Sequence, residues 1–168
     1  MTRLLLLTTV LALMAPATAS AASYTYNVPD LVERPLAAVK EATSIDVLLP
    51  SQFTSDRPKL YSEGRGGGGS YRFEIGAIRH CGGAGACFIA SFRAKRGGKP
   101  GNPRKVDLKG GRRGYFQPLR CGASCAPPSI EWVQDGVLYT IEGKFGTKKT
   151  ERGVLTRLAN SAIGKGAR

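Results

Sequence analysis

The chain has 168 residues, with 25 Lys and Arg against 12 Asp and Glu and a formal charge of +13 at neutral pH. That length suits one ordinary domain with a sizeable core and leaves too little chain for two. The charge predicts attraction to polyanions without naming one, and a single histidine, His80, leaves only one residue for histidine-based catalysis.

The first residues, MTRLLLLTTVLALMAPATASAAS, carry one cation at Arg3, an apolar run from Leu4 to Met14, and small residues at Ala19, Ser20 and Ala21 that suit signal peptidase. The run is well short of the ~20 residues of a membrane span, so it reads as a secretory signal. The expectation is a removed signal over 1–21 and a single disulfide-stapled domain over 22–168, secreted to the extracellular or cell-envelope space. The cleavage site lacks a lipobox cysteine, so no lipid anchor is expected. Without Arg3 the chain keeps 24 cations against 12 acids, a charge of +12. Outside a cell the available polyanions are teichoic acids, anionic lipids, acidic polysaccharides and shed nucleic acid. The competing reading is a generally basic exported proteome, in which charge serves solubility alone.

In PDLVERPLAAVKEAT, Asp30 and Glu33 have capping-box spacing, and Leu36, Ala37 and Val39 continue at helical spacing. Proline is tolerated only in a first turn, which places the helix start at Pro35 rather than Leu31. SIDVLLP reads as a strand closed by Pro50. SQFTSDRPKLYSEGRGGGGS reads mostly as loop, with a short strand near Leu60. SYRFEIGAIR alternates Tyr71, Phe73 and Ile75 against Arg72, Glu74 and Gly76, a half-buried strand whose partner is CFIASFRAK. RGGKPGNPRK is a polar loop, and KVDLKGGRRGYFQPL holds two short strands around Gly110-Gly111. In SIEWVQDGVLYTIEGKF, Asp135-Gly136 signals a type I′ turn, pairing Gln134 with Val137, Trp132 with Tyr139 and Ile130 with Ile141 on the core face. The final helix, TERGVLTRLANSAI, aligns Val154, Leu155, Leu158, Ala159, Ala162 and Ile163, with Gly164 as its stop. Together these predict an α+β fold, an antiparallel sheet of five or six strands with N- and C-terminal helices on one face.

All four cysteines lie in IRHCGGAGACF and LRCGASCAPP. Export makes an even cysteine count a disulfide framework. Gly82, Gly83, Gly85 and Gly122 let short loops fold back, favouring Cys81 with Cys87 and Cys121 with Cys125. Cross-cluster pairing stays open if the loops lie side by side. The spacings match neither zinc ribbons nor C-x-x-C redox centres, and a Cys3His zinc site using His80 is the weaker alternative.

GRGGGGS lacks the lysine and hydroxyl residue of a P-loop and precedes a strand, so it reads as a flexible loop. Glu131 and Glu142 fall diagonally on the outer face of the Asp-Gly hairpin, at a spacing glycosidases use; solvated glutamates on an exposed face are the commoner case. No G-x-S-x-G surrounds a serine. Lys105, Lys109, Arg112, Arg113 and Arg120 gather around Tyr115 and Phe116, the composition of a polyanion surface, or of a strand edge protected against aggregation. Arg93, Lys95, Arg96, Lys99 and Arg104 extend that surface if the intervening loop folds back.

At IEWVQDGVLYTI followed by LTRLANSAI, the chain resembles a family of uncharacterised exported bacterial envelope domains, in which a W-x3-G-x2-Y hairpin precedes a helix with an Ala-x-Ser motif. The matching residues are Trp132, Gly136, Tyr139, Ala159 and Ser161, about a quarter of the exported chain. Such domains are similar in outline to the sheet-and-helix units of envelope-stress regulators and lipoprotein carriers. The resemblance implies export and an α+β fold, and transfers no active site.

The expected function is a non-enzymatic binding or structural domain, secreted or envelope-associated. It would engage an anionic polymer or lipid surface through Lys105 to Arg120. There is no specific nucleic-acid motif, and no cofactor is expected. The alternatives are a small hydrolase of wall polysaccharide using Glu131 and Glu142, and a secreted inhibitor or partner-recognition protein presenting the Cys121–Cys125 loop.

Overall fold

Apolar side chains recurring at every second position build most of this molecule. The computed structural model describes residues 22–82 and 85–168; the expected signal segment over 1–21 and Gly83 lie outside the described residues. The strands are β1 (Tyr24–Asn27), β2 (Gln52–Ser55), β3 (Tyr61–Gly67), β4 (Ser70–Gly76), β5 (Phe88–Arg96), β6 (Arg104–Leu108), β7 (Arg112–Gln117), β8 (Arg120–Cys121), β9 (Cys125–Ala126), β10 (Ser129–Gln134) and β11 (Val137–Gly143). The helices are α1 (Val28–Leu31), α2 (Glu33–Ala42) and α3 (Glu151–Lys165). Seven strands form one antiparallel sheet in the order β3-β4-β5-β11-β10-β7-β6. Two-stranded ribbons, β1-β2 and β8-β9, stand beside it. The fold is α+β, as the sequence leads one to expect.

One sheet face carries the core. Tyr71, Phe73, Ile75, Phe92, Trp132 and Ile141 are buried there with many others in a single apolar cluster. Helix α2 lies on β3, and α3 lies across β10, β11 and β6. The ribbon inserts Phe53, whose ring sits 5.4 Å from Phe145 and 6.4 Å from Phe92. Trp132 stacks on Tyr139 at 5.4 Å, the cross-strand aromatic pair that the hairpin register places on this face. Asp135 and Gly136 both take positive φ, 52° and 73°, which a type I′ turn requires.

Several local expectations are corrected. The main sheet has seven strands against about five or six expected; Gly64 to Gly67 belong to β3, and only Gly68-Gly69 form a turn. GRGGGGS is therefore strand and turn, not a flexible loop. The bare face of those glycines receives α2: a Cβ on Gly64 would lie 2.7 Å from Pro35 Cβ, and one on Gly66 would lie 2.7 Å from the Val39 carbonyl oxygen. SIDVLLP is no strand; it is an extended segment with an isolated bridge between Leu48 and Ala167. Helix α2 begins at Glu33, with Pro35 in its first turn. Asp30 lies inside α1, where its backbone N–H donates to the Asn27 side chain, so Asn27 and not Asp30 is the cap. Helix α3 runs past Gly164 and ends at Gly166, whose φ of 70° suits a helix stop.

Candidate binding surface

The strand register brings three connections to one end of the sheet. Gly76 pairs with Phe88, Ala90 with Gly143, and Ser129 with both Glu142 and Gln117. Residues 77–87, 118–128 and 144–150 therefore all leave from that end. Cys81–Cys87 closes the first loop and Cys121–Cys125 the second, the local pairings that the loop glycines favour, and no described cysteine is free. The third connection is tied to the second: Gly143 N–H donates to the Pro128 carbonyl at 3.1 Å, and Leu119 N–H donates to Glu151 Oε1 at 3.3 Å.

Between the stapled loops, on the face opposite the core, lies a cleft of about 480 Å³. Arg72, Phe88 and Glu142 border it from the sheet, Gly85 from the first loop, Leu119, Cys125 and Pro127 from the second, and Lys144 from the third. Phe88 reaches this face because the register shifts at its end of β5. Ala90 pairs with Ile75 and Phe88 with Gly76, so Ile89 is the extra residue and joins the core instead. A bulge of this kind re-aims the side chain beside it. In the next outward-facing row of β5, Ser91 is fully buried between Glu74 and Glu142, and its hydroxyl has no partner among the described residues.

The charged residues over this face are largely paired. Arg72 pairs with Glu74, and Arg93 with Glu142 at 3.3 Å. The other half of the face is crossed by the 97–103 loop, which folds back as the sequence allowed. Glu131 Oε2 accepts from Gly101 N–H at 2.8 Å and Asn102 N–H at 3.1 Å, while Asn102 Nδ2 donates to the Tyr115 carbonyl and to Ser129 Oγ. Glu131 thus anchors a strap and Glu142 holds an arginine. The two carboxylates sit where the register put them, each with a structural partner.

The expected anion-binding residues do not form one patch. Lys105, Arg113 and Tyr115 lie on the outer face near the strap, with Arg113 3.7 Å from Asp107 and Phe116 turned into the core. Lys109 and Arg112 flank the β6–β7 turn at the far end; Lys109 N–H donates to Asn160 Oδ1 there. Only Arg120, in β8, stands at the stapled end. Sequence reasoning missed Lys144, Lys148 and Lys149, on the third connection at the same end, and Arg152 in the first turn of α3, all exposed. A signal for them exists: from Gly143 to Arg168 the only acid is Glu151, and from Leu108 to Ile130 there is none. Glu151 is buried and bonded to Leu119, and Arg120, Lys148, Lys149 and Arg152 form no ion pair among the described residues.

His80 stands elsewhere. It takes a positive φ of 52°, and its Nδ1 lies 2.8 Å from Glu63 Oε1 without the alignment of a hydrogen bond. It borders a second cleft of about 430 Å³ that includes Asp30, Glu33, Glu63 and Glu74. Arg79 and Lys59 lie over the Tyr61 ring there, at 5.3 and 5.4 Å. Both cysteine pairs are bonded, so no thiolate is left beside His80 for a Cys3His site, and the described residues hold no His, Cys, Asp and Glu cluster suited to a metal. Nor is any described helix long and apolar enough to cross a membrane. Comparison with protein-family models, curated proteins and solved structures finds no match for this chain.

Proposed function

We propose that this protein is an exported, non-enzymatic binding domain that engages an anionic polymer through the stapled end of its sheet. The observation that carries the reading is the placing of Arg120, Lys144, Lys148 and Lys149 on connections that two hydrogen bonds hold together, with Arg152 at the start of α3, and the burial of Glu151 among them. Charge gathered from separate segments onto a fixed frame focuses potential and raises the encounter rate with a polyanion. Disulfides support an oxidising compartment. The structural partners of Glu131 and Glu142 favour binding over glycoside hydrolysis.

The test is a titration with a heparin-like polymer at several salt concentrations. Affinity falls steeply as salt rises, because cation contacts release counterions from the polymer. Lys148→Glu with Lys149→Glu weakens binding strongly, while Lys105→Glu with Lys109→Glu changes it little. Salt-independent affinity would end the electrostatic account; a dominant effect of Lys105 and Lys109 would return the site to the far edge of the sheet.

A further inference from the structure

We infer that the cleft between the two stapled loops is a subsite for an acidic sugar, a uronate unit of the anionic polymer. This deepens the proposed function and rests on it. Three kinds of surface meet there. Phe88, Leu119 and Pro127 are apolar, Arg72 and Lys144 are cationic, and Glu142 is a carboxylate acceptor. A polyphosphate has charge and no apolar face; it would use the cations alone and be repelled by Glu142. A uronate uses all three. Its ring presents C–H faces to the apolar walls, its hydroxyls donate to a carboxylate, and its own single charge meets a lysine or arginine.

The fold prepares the cleft for such a unit. The bulge at Ile89 turns Phe88 toward it. Leu119, still 42% exposed, is held there by its backbone bond to buried Glu151 and by the neighbouring Cys121–Cys125 link. With Phe88 and Pro127 it supplies the apolar part of the cleft's lining. The Cys121–Cys125 link restrains the wall between Leu119 and Pro127, which lowers the cost of ordering it on binding. The volume, about 480 Å³, falls within the range of roughly 300–1,000 Å³ usual for small-ligand sites.

Two substitutions separate this idea from bulk electrostatics. Trigalacturonate and a short polyphosphate are titrated calorimetrically against the purified protein, Leu119→Ser and Glu142→Gln, each variant checked for native circular dichroism. The expected result is that trigalacturonate binds and both substitutions weaken it severalfold. Polyphosphate is indifferent to Leu119→Ser and binds tighter to Glu142→Gln, which removes a repelling charge. If trigalacturonate binding ignores Leu119→Ser and tightens in Glu142→Gln as polyphosphate does, the cleft is no sugar subsite, while the cationic end stands. If neither ligand binds wild type at low salt, the proposed function fails and this inference with it.

Discussion

Two phenols show how single residues substitute for missing secondary structure. The hydroxyl of buried Tyr71 donates to the Leu48 carbonyl at 3.0 Å and accepts from the Leu48 N–H at 3.1 Å; Tyr139 donates to the Asp46 carbonyl at 3.1 Å. Together they tether the extended segment around residues 45–50, whose apolar run reads as a strand but which lies against side chains instead of a ladder. Burial, the largest cause, pushes the Tyr71 hydroxyl well above the ordinary phenol value. Burial likewise pushes Tyr139 up to about 12, with Asp46 and Asp135 adding to it and Arg96 opposing. The fold therefore favours the neutral, protonated phenol. Its stabilisation is fully present below the unfolded phenol value of about 10 and is lost as pH rises through the raised folded values. Denaturant midpoints stay level through neutral pH and drop above about pH 10. Tyr71→Phe starts lower by about 1–3 kcal/mol, since the Leu48 N–H loses its acceptor, and shows a shallower alkaline decline. A midpoint unchanged at about pH 11 in wild type would refute the account.

At the scale of elements, what was legible depended on whether the cause was local. The Asp135-Gly136 turn, the alternation of Tyr71, Phe73 and Ile75, and the stripe from Leu155 to Ala162 are local signals, and each yields the expected element. The glycine run is the contrary case. Glycine is a poor strand residue by propensity, and here it is a strand because α2 needs the space a Cβ would fill. Such a requirement is tertiary and invisible to a local pattern. It makes a sharp prediction. In Gly66→Ala the new methyl meets the Val39 backbone oxygen at 2.7 Å, which only a shift of α2 relieves, so stability drops by about 1–3 kcal/mol. Gly67→Ala, with nothing near its Cβ, changes little. Equal denaturant midpoints for the two variants would show that α2 does not rest on this strand. The candidate site divides the same way: the glycines of the two short loops favour the local disulfide pairings that form, whereas Lys144, Lys148 and Lys149 come to the end of the sheet that holds Arg120 only through the pairing of strands far apart in sequence.

Across the whole molecule, the excess positive charge acts on folding and on the proposed polymer binding with opposite responses to salt. No lysine forms an ion pair among the described residues, and the ion pairs present are made by Arg57, Arg72, Arg93 and Arg113. With a net charge of +13 on the chain, the folded state carries self-repulsion that unfolding relaxes. Raising ionic strength from about 0.01 M to about 0.15 M shortens the Debye length from roughly 30 Å to roughly 8 Å and screens that repulsion. The melting temperature therefore rises over the interval in which affinity for an anionic polymer falls. If the stapled end contributes much of the repulsion, Lys148→Glu with Lys149→Glu raises the low-salt melting temperature and flattens both salt responses at once. The measurement is a pair of salt series, calorimetric unfolding and polymer binding, on wild type and the double variant. A wild-type melting temperature that drops with salt would mean that the surface ion pairs outweigh the repulsion, and that the excess charge is not what the fold sustains for the sake of a partner.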